Sequence, residues 1–145
     1  FAIPKKIKGE HRFFLQLIRD ADKLDIWRVF SEFFEQPEGE RSSVAGLDFP
    51  DRPECSPEVL DRVANGEIVR LSLARTLNDF KLVQLSWVHD LTFPESFRIA
   101  DERNAIHGIA KSLPDTEGVR RAVQAVLRHV EEMRDMMSPR RVEGA

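Results

Sequence analysis

Four charged residues stand close together near the start of the chain, where segment 20–27 reads DADKLDIW. On a helical wheel of about 100° per residue, Asp22 lies in the middle of an apolar stripe. The stripe consists of Leu15, Ile18, Ile26, Val29 and Phe33. Burying an ionised carboxylate is costly unless a cation or strong hydrogen-bond donors meet it. The sequence therefore predicts a buried Asp22 with a positive group opposite it.

The charged neighbours of Asp22 project in other directions. Asp20 points about 160° away, so one ion cannot be held by both carboxylates. Asp25 can reach the side of Asp22, where it would support a ligand or face a substrate. Lys23 projects from the flank, where it would pair with Asp20 or meet a phosphate. The alternative for Asp22 is a salt bridge to an arginine of another helix.

Helical periodicity dominates the chain and strand signals are poor, so the predicted class is all-α. Helices or helical turns are expected over 10–35, 57–66, 68–77, 79–91, 94–112 and 116–137. The first of these is apolar on two sides and is expected to be a central helix packed on both. Its second apolar side consists of Phe13, Leu17, Leu24, Trp27 and Phe34.

Two segments are predicted to lie outside the helices, and one helix has a clear apolar stripe. Residues 37–56 form a long loop of the kind that often serves as a lid, and residues 138–145 are expected to fray. The last helix carries a Val and Met stripe that predicts core packing or a dimer seam. This stripe consists of Val119, Val123, Val126, Val130, Met133 and Met137.

Composition excludes several classes of protein. The 145 residues include 22 basic and 25 acidic side chains, a net charge of −3, so the electrostatic signature of nucleic-acid binding is absent. No apolar run is long enough to span a membrane. A single cysteine, Cys55, excludes an internal disulfide and a thiolate zinc site, and makes a cytoplasmic location the default.

Other reactive residues have simpler interpretations. Cys55 precedes a helix start but has no base nearby in sequence, which argues against a catalytic thiol. Arg70, Arg75 and Lys81 could clamp a phosphate, but each of them is expected instead to lie on a solvated helix face. Phosphate-binding glycine loops and serine-nucleophile motifs are absent from the sequence.

Segment 20–27, preceded by Leu17-Ile18-Arg19, resembles the last metal-binding motif of the HD-domain phosphohydrolases. In this all-α superfamily the signature H…HD…D supplies two histidines and two aspartates to a divalent metal. The final aspartate follows an alanine on a helix, and Asp22 matches it. Segments 78–80 (NDF), 85–88 (LSWV) and 90–93 (DLTF) are similar to the C-terminal part of a bacterial HD subgroup. The resemblance covers most of residues 10–135.

The resemblance implies an HD-like helical bundle and a hydrolase activity. Asp22 would be a ligand of Mn²⁺, Fe²⁺, Co²⁺, Ni²⁺ or Mg²⁺. Lys23 and Asp25 would have catalytic roles toward a nucleotide or another phosphorylated small molecule. In the family the other ligands precede the aspartate helix, whereas this chain has only His11 there, about 16 Å along the axis from Asp22.

We therefore expect residues 1–137 to be the C-terminal part of one HD-like domain whose upstream H…HD half is missing. The start at Phe1 rather than at Met agrees with this interpretation. The isolated chain is expected to be inactive and to hold no metal. Its first helix should expose an apolar face that docks with the missing half or with a second copy.

His89 and Asp90 spell the family's dipeptide but follow the aspartate helix, in the wrong order. We expect His89 to pack beside Trp87 and Asp90 to cap or pair locally, and a permuted metal site is the alternative. His107 and His129 are interpreted as surface or core histidines.

Two further interpretations compete with the phosphohydrolase. The chain could be a non-catalytic interaction or regulatory module that retains an HD-like scaffold. It could also be an unrelated helical bundle, which would place an arginine within about 4 Å of Asp22. The presence of an H…HD pattern in the residues encoded before Phe1 would distinguish the enzyme from the module.

Overall fold

The computed structural model describes residues 3–35 and 47–137, and the regular secondary structure of this part consists of helices joined by turns and irregular segments. The α-helices of this part are α1 (Gly9–Glu35), α2 (Pro57–Ala64), α3 (Leu77–Ser86), α4 (Pro94–Glu102), α5 (Ala105–Lys111) and α6 (Glu117–Met137). Short 3-10 segments cover Leu71–Leu73 and Trp87–Asp90. The predicted all-α class is confirmed. None of the described helices is long and apolar enough to cross a membrane.

Local signals explain where α2 begins and ends. Ser56 has an extended backbone at the N-cap position and is followed by Pro57, whose fixed φ suits the first helical position. Gly66, just past the helix, has a φ of 76°, a value that a residue with a Cβ adopts only with strain. Both ends agree with the sequence prediction.

Two predicted helical segments differ from the structure. The predicted helix 94–112 is divided into α4 and α5 because Asn104 adopts a left-handed backbone, with a φ of 54°. Over 68–77 only a single 3-10 turn forms, because Arg70 and Ala74 on either side of it are extended. The Thr76 side chain accepts a hydrogen bond from the backbone N–H of Asp79, which starts α3 at Leu77.

The central helix of the described fold is α3, whose residues are all buried. Helices α2, α5 and α6 pack against it, and α4 packs against α6. In α6, Val119 and Val126 are buried while Val123, Val130, Met133 and Met137 pack at the edge of the core. The predicted core role of the α6 stripe is confirmed.

Helix α1 is packed on one side only, so the expectation of a central helix with two covered sides is wrong. Among the described side chains of α1, the buried ones all lie from residue 20 onward, namely Asp20, Lys23, Trp27, Phe30 and Phe33. None of residues 9–19 is buried. Exposed apolar side chains on α1 range from 37% for Leu15 to 63% for Ile18. They are Phe13, Phe14, Leu15, Leu17, Ile18 and Val29. The side chain of Phe34 lies outside the described part.

The predicted loop 37–56 is described only from residue 47, since residues 36–46 lie outside the described part, as does the predicted tail 138–145. The described end of the loop is attached to the start of α3. The Thr76 hydroxyl donates to the Glu54 carbonyl at 3.0 Å, and the Asn78 amide donates to the Arg52 carbonyl at 2.9 Å. These bonds hold residues 47–56 against the core.

Candidate carboxylate site on the first helix

Asp22 is exposed, and it forms no hydrogen bond or ion pair with the described residues. The prediction that it is buried is wrong, because its stripe neighbours Leu15, Ile18 and Val29 are exposed and only Phe33, at the end of the stripe, reaches the core. The alternative of a salt bridge to an arginine is also excluded within residues 3–35 and 47–137. Asp22 therefore presents an uncommitted carboxylate in the middle of an uncovered apolar face.

Asp20, two residues earlier, has the opposite environment and is only 1% exposed. Its carboxylate accepts hydrogen bonds from the backbone N–H of Thr92 at 3.0 Å and of Phe93 at 2.9 Å. It also accepts one from the Ser96 hydroxyl at 2.6 Å. These donors lie at the start of α4, where N–H groups have no intrahelical acceptor and the helix dipole favours a negative charge. Asp20 is thus a cap for α4 that is supplied by α1.

Lys23 is buried and forms an ion pair that joins α1 to the 3-10 segment Trp87–Asp90. Its Nζ lies 2.9 Å from Asp90 Oδ2, and Arg19 Nη2 lies 2.5 Å from the same oxygen. The predicted pairing of Lys23 with Asp20 and the predicted local role of Asp90 are wrong, while the contact of Lys23 with a phosphate stays a prediction. The fold brings Asp90 to α1 because the chain turns back after α3, a long-range contact that local sequence does not encode.

Asp25 is exposed and pairs with the next turn of its own helix, since Arg28 Nη2 lies 2.7 Å from Asp25 Oδ1. Arg28 also contacts Glu32, and hydrogen bonding to Asp25 and Glu32 raises the pKa of the Arg28 guanidinium. Ion pairs of this exposed i,i+3 type contribute little to stability. Asp25 lies on the same side of α1 as Asp22, as predicted, but that side is exposed and the charge of Asp25 is partly neutralised by Arg28.

The four charged residues of segment 20–27 therefore divide into two sets. Asp20 and Lys23 point inward and hold α1 on the rest of the fold. Asp22 and Asp25 point outward, and Asp22 is the one of the four with no interaction inside the described structure. An exposed carboxylate without such an interaction can serve as a metal ligand, or as a hydrogen-bond acceptor for a partner that docks on α1.

The residues that the structure describes do not complete a metal site. No group of three or more His, Cys, Asp or Glu side chains within them could hold a metal ion. His11 is exposed on the same side as Asp22 but is separated from it by three turns of α1. Asp22 can supply at most one of the ligands that a divalent cation needs.

His89 and His129 form a pair that sequence reasoning did not anticipate, because they belong to the 3-10 segment and to α6. Their ring centroids are 4.3 Å apart. Burial, and secondly the neighbouring His129, lower the pKa of His89. His89 Nε2 is buried without a hydrogen-bond partner among the described residues. Since no third ligand joins them there, the predicted alternative of a permuted metal site has no support.

The remaining reactive residues are mainly structural. Burial, and secondly the charge of Asp79, raise the pKa of the Cys55 thiol, so the thiol form is favoured. Lys81 was expected on a solvated face, but it is 5% exposed and its Nζ donates to the Ser112 carbonyl at 3.2 Å. Arg70 and Arg75 are exposed, as expected.

Asp79 is a buried carboxylate whose structural role was not predicted from the sequence. It accepts hydrogen bonds from the Ser56 N–H at 2.7 Å, from the Ser56 hydroxyl at 2.5 Å and from the Arg75 N–H at 2.9 Å. The pattern of Thr76 with an acidic residue three positions later is a capping signal that could have identified it. The sequence also contained a signal for Asp20. Phe93 at the N-cap of α4 has no side-chain oxygen that could accept a hydrogen bond from the first N–H groups, so another part of the chain had to supply the acceptor.

A cavity of about 370 Å³ lies between α4 and α6, away from the residues of segment 20–27. Phe97, Val130 and Met137 form part of its apolar lining. The arginines on its rim are paired: Arg98 with Glu95 and Glu102, and Arg134 with Asp101. The cavity contains no predicted site residue, and its rim charges are largely balanced.

Comparisons of this chain with models of protein families, with curated proteins and with solved structures gave no match.

Proposed function

We propose that this chain is the C-terminal part of an HD-type, metal-dependent phosphohydrolase that acts on a nucleotide or another phosphoester. In this proposal Asp22 supplies one carboxylate to a divalent metal, and the remaining ligands come from polypeptide outside this sequence. The supporting observation is the contrast within segment 20–27. Three of its charged side chains have partners in the fold, and the fourth, at the position of the family's ligand, has none.

The surroundings of Asp22 add a physical reason. It lies among exposed apolar side chains, including Leu15, Ile18 and Val29. Anything that covers this face removes water from the carboxylate, which is unfavourable unless the covering element brings a cation or hydrogen-bond donors. A partner that completes a metal site around Asp22 would bury the apolar surface and also compensate the charge of the carboxylate.

The chain's own residues would orient Asp22 rather than react. Asp20 fixes α1 against the start of α4, and Lys23 with Arg19 fixes it against Asp90. The proposal therefore assigns Lys23 a positioning role instead of the predicted contact with phosphate. One carboxylate does not retain a divalent cation against water, so we assign no catalytic step to the 145-residue chain and expect it to be inactive.

The alternative function, a non-catalytic interaction module, is favoured by a different observation. Among the described side chains of α1, six large apolar ones are exposed, more than a helix with no partner would be expected to display. In this interpretation the apolar face binds another protein, and Asp22 only contributes to the specificity of that contact.

The test begins with the coding sequence upstream of the Phe1 codon, where the proposal expects an H…HD pattern. The protein encoded by the complete reading frame is then assayed for hydrolysis of a panel of nucleotides and phosphomonoesters with added Mn²⁺, Co²⁺, Ni²⁺ or Mg²⁺. Asp22→Asn should reduce the rate by at least about a hundredfold. Asp25→Asn is the matched control, since Asp25 is also exposed on α1 but already paired with Arg28, and it should reduce the rate by less than about tenfold.

Two results would overturn the proposal. One is an upstream sequence without histidines in an H…HD arrangement, which would support the interaction module. The other is a metal-dependent activity that Asp22→Asn leaves at the wild-type rate, because Asp22 would then have no role in it.

A further inference from the structure

The exposed residues along one face of α1 are regularly spaced. From residue 8 onward, six exposed residues follow one another at alternating intervals of three and four positions, which is the spacing of a coiled-coil seam. They are Lys8, His11, Leu15, Ile18, Asp22 and Asp25, and all six are exposed. We call this set the α1 seam. Its first two members are basic or titratable, its middle two are apolar and its last two are acidic.

We propose that the α1 seam is a homodimer interface on which a second copy of this chain docks antiparallel. In the register centred between Leu15 and Ile18, Leu15 of one copy meets Ile18 of the second copy. His11 then lies opposite Asp22 of the second copy, and Lys8 lies opposite Asp25 of the second copy. Each half of the seam is complementary to the other half, as a two-fold symmetric interface requires.

Charge excludes the parallel arrangement. Two parallel copies would place Asp22 against Asp22 and Lys8 against Lys8, and like charges in direct opposition destabilise a contact. The antiparallel register replaces each repulsion by an attraction and keeps the apolar pair in the centre.

Lys8 precedes the first residue of α1, where Gly9 has a φ of 64°, so its position is given by the surface that it lines rather than by helical spacing. It lines an open groove of about 760 Å³ together with His11 and Leu15, which places it beside the helical members of the seam. Lys6, Ile7 and Phe14 complete the lining. A helix of the second copy that carries Ile18 and Asp25 would find both an apolar surface and a lysine in this groove.

The packing of α1 leaves room for the second copy. None of residues 9–19 is fully buried, although Phe13 contacts Phe93 and Arg19 pairs with Asp90. The second half of α1 is covered on the side of Trp27 and Phe30 and open on the side of Asp22. In the antiparallel register, the largely exposed first half of each α1 covers the open side of the other copy's second half. The proposed contact therefore covers the face of α1 that the rest of the described fold leaves exposed.

This inference does not depend on the phosphohydrolase proposal, although both use the same face of α1. If a longer protein supplies an upstream half that docks on α1, that half and a second copy compete for the surface. The dimer is accordingly tested on the 145-residue chain, so that a negative result leaves the proposal for the complete reading frame unaffected.

The experiment is sedimentation equilibrium of the 145-residue chain over a concentration series, which gives a dimer dissociation constant. Lys8→Glu changes two symmetry-related attractions into repulsions and should weaken the dimer by about tenfold. Asp25→Lys should have a similar effect. The double variant Lys8→Glu with Asp25→Lys restores opposite charges across the interface and should recover most of the lost affinity. Lys5→Glu is the matched control, because Lys5 is exposed but does not line the groove.

The apolar centre is tested with Ile18→Asp, which should weaken the dimer by at least about a hundredfold, since the substituted position occurs twice in the interface. Circular dichroism checks that this variant keeps its helix content, as expected at a position that is 63% exposed. A wild-type chain that stays monomeric at the highest concentration would overturn the proposal. So would a dimer that Ile18→Asp does not weaken, or one whose charge-reversed double variant is no tighter than the two single variants.

Discussion

At the scale of single residues, Asp20 and Asp22 have the same chemistry but opposite environments. Asp20 is 1% exposed and accepts three hydrogen-bond donors at the start of α4, while Asp22 faces outward without an interaction in the described structure. The two-residue spacing turns one carboxylate to the core and the other away from it. Asp20 should therefore contribute much more than Asp22 to the stability of the fold. Asp22 should contribute more than Asp20 to the binding of a ligand or partner.

Asp20→Ala should lower the free energy of unfolding by about 3 kcal/mol, because it leaves two backbone N–H groups and the Ser96 hydroxyl without their charged acceptor. Asp22→Ala, the matched control, should change it by less than about 0.5 kcal/mol. Urea denaturation in dilute solution measures both values. Equal effects of the two substitutions would show that the division of roles between the aspartates is incorrect.

The pair His89 and His129 should make the fold sensitive to acid. Burial lowers the pKa of His89 in the folded state below its ordinary value of 6.5. As the pH falls below 6.5, the unfolded chain therefore binds a proton that folded His89 does not yet accept, and stability decreases. At higher pH both states are neutral at His89 and this contribution disappears.

His89→Leu should reduce the loss of stability between about pH 7 and pH 5, because the proton uptake on unfolding is removed. Denaturation curves at several pH values for the wild type and the variant give the two slopes. His107→Leu is the control, since His107 is exposed. An unchanged slope for His89→Leu would place the acid sensitivity elsewhere in the chain.

At the scale of elements, α1 is held by two polar contacts that lie on its inward side. One is the Asp20 cap on α4, and the other is the cluster of Arg19 and Lys23 on Asp90. The side chain of Lys23 is 10% exposed, so its ammonium group depends on Asp90 for its charge partner. These contacts fix the rotation of α1 and hence the direction in which Asp22 points.

Asp90→Ala should destabilise the fold by about 2 kcal/mol, because it leaves the Lys23 ammonium group largely buried without a partner. Adding Lys23→Met should recover part of this loss, since the uncompensated charge is then removed. Thermal or urea unfolding of the single and double variants measures the difference. Asp25→Ala, which breaks an exposed pair, should cost less than about 0.5 kcal/mol. A double variant less stable than Asp90→Ala would contradict the proposed role of Asp90.

The elements could be predicted where local chemistry determines them. Pro57 and Gly66 mark the ends of α2, and the α6 stripe has the helical period, so both helices follow from the sequence. The division between α4 and α5 was missed, because the signal at Asn104 is weak: asparagine tolerates the left-handed conformation better than most residues but does not require it. The limits of α1 were also predicted to within a residue.

The site was harder to predict, because a helical wheel gives angles but not the side on which the core lies. Both sides of α1 are apolar, and the wheel alone placed Asp22 inside. The structure turns that stripe outward except at Phe33 and buries the side with Trp27 and Phe30. The sequence of α3 carries Asn78, Asp79 and Lys81 and does not look central, yet all three are buried because loop and backbone groups satisfy their polar atoms.

At the scale of the whole molecule, the described fold has a covered core around α3 and one long helix that extends beyond it. The exposed part of that helix combines apolar side chains with two outward carboxylates, and exposed lysines precede it in the chain. Surfaces of this kind are completed by docking, whether the partner is an upstream half or a second copy. The predicted exposure of an apolar face on the first helix is confirmed, and the identity of its partner is a proposal.

The central claim is that Asp22 is the carboxylate which this chain contributes to a divalent metal site. The most direct test measures bound Mn, Fe, Co, Ni and Mg by mass spectrometry in the protein encoded by the complete reading frame. The wild type and Asp25→Asn are predicted to retain metal, while Asp22→Asn is predicted to lose most of it. The melting temperature of Asp22→Asn should match that of the wild type after its metal has been removed. Equal metal content in the wild type and Asp22→Asn, or no bound metal in any of the three proteins, would contradict the claim.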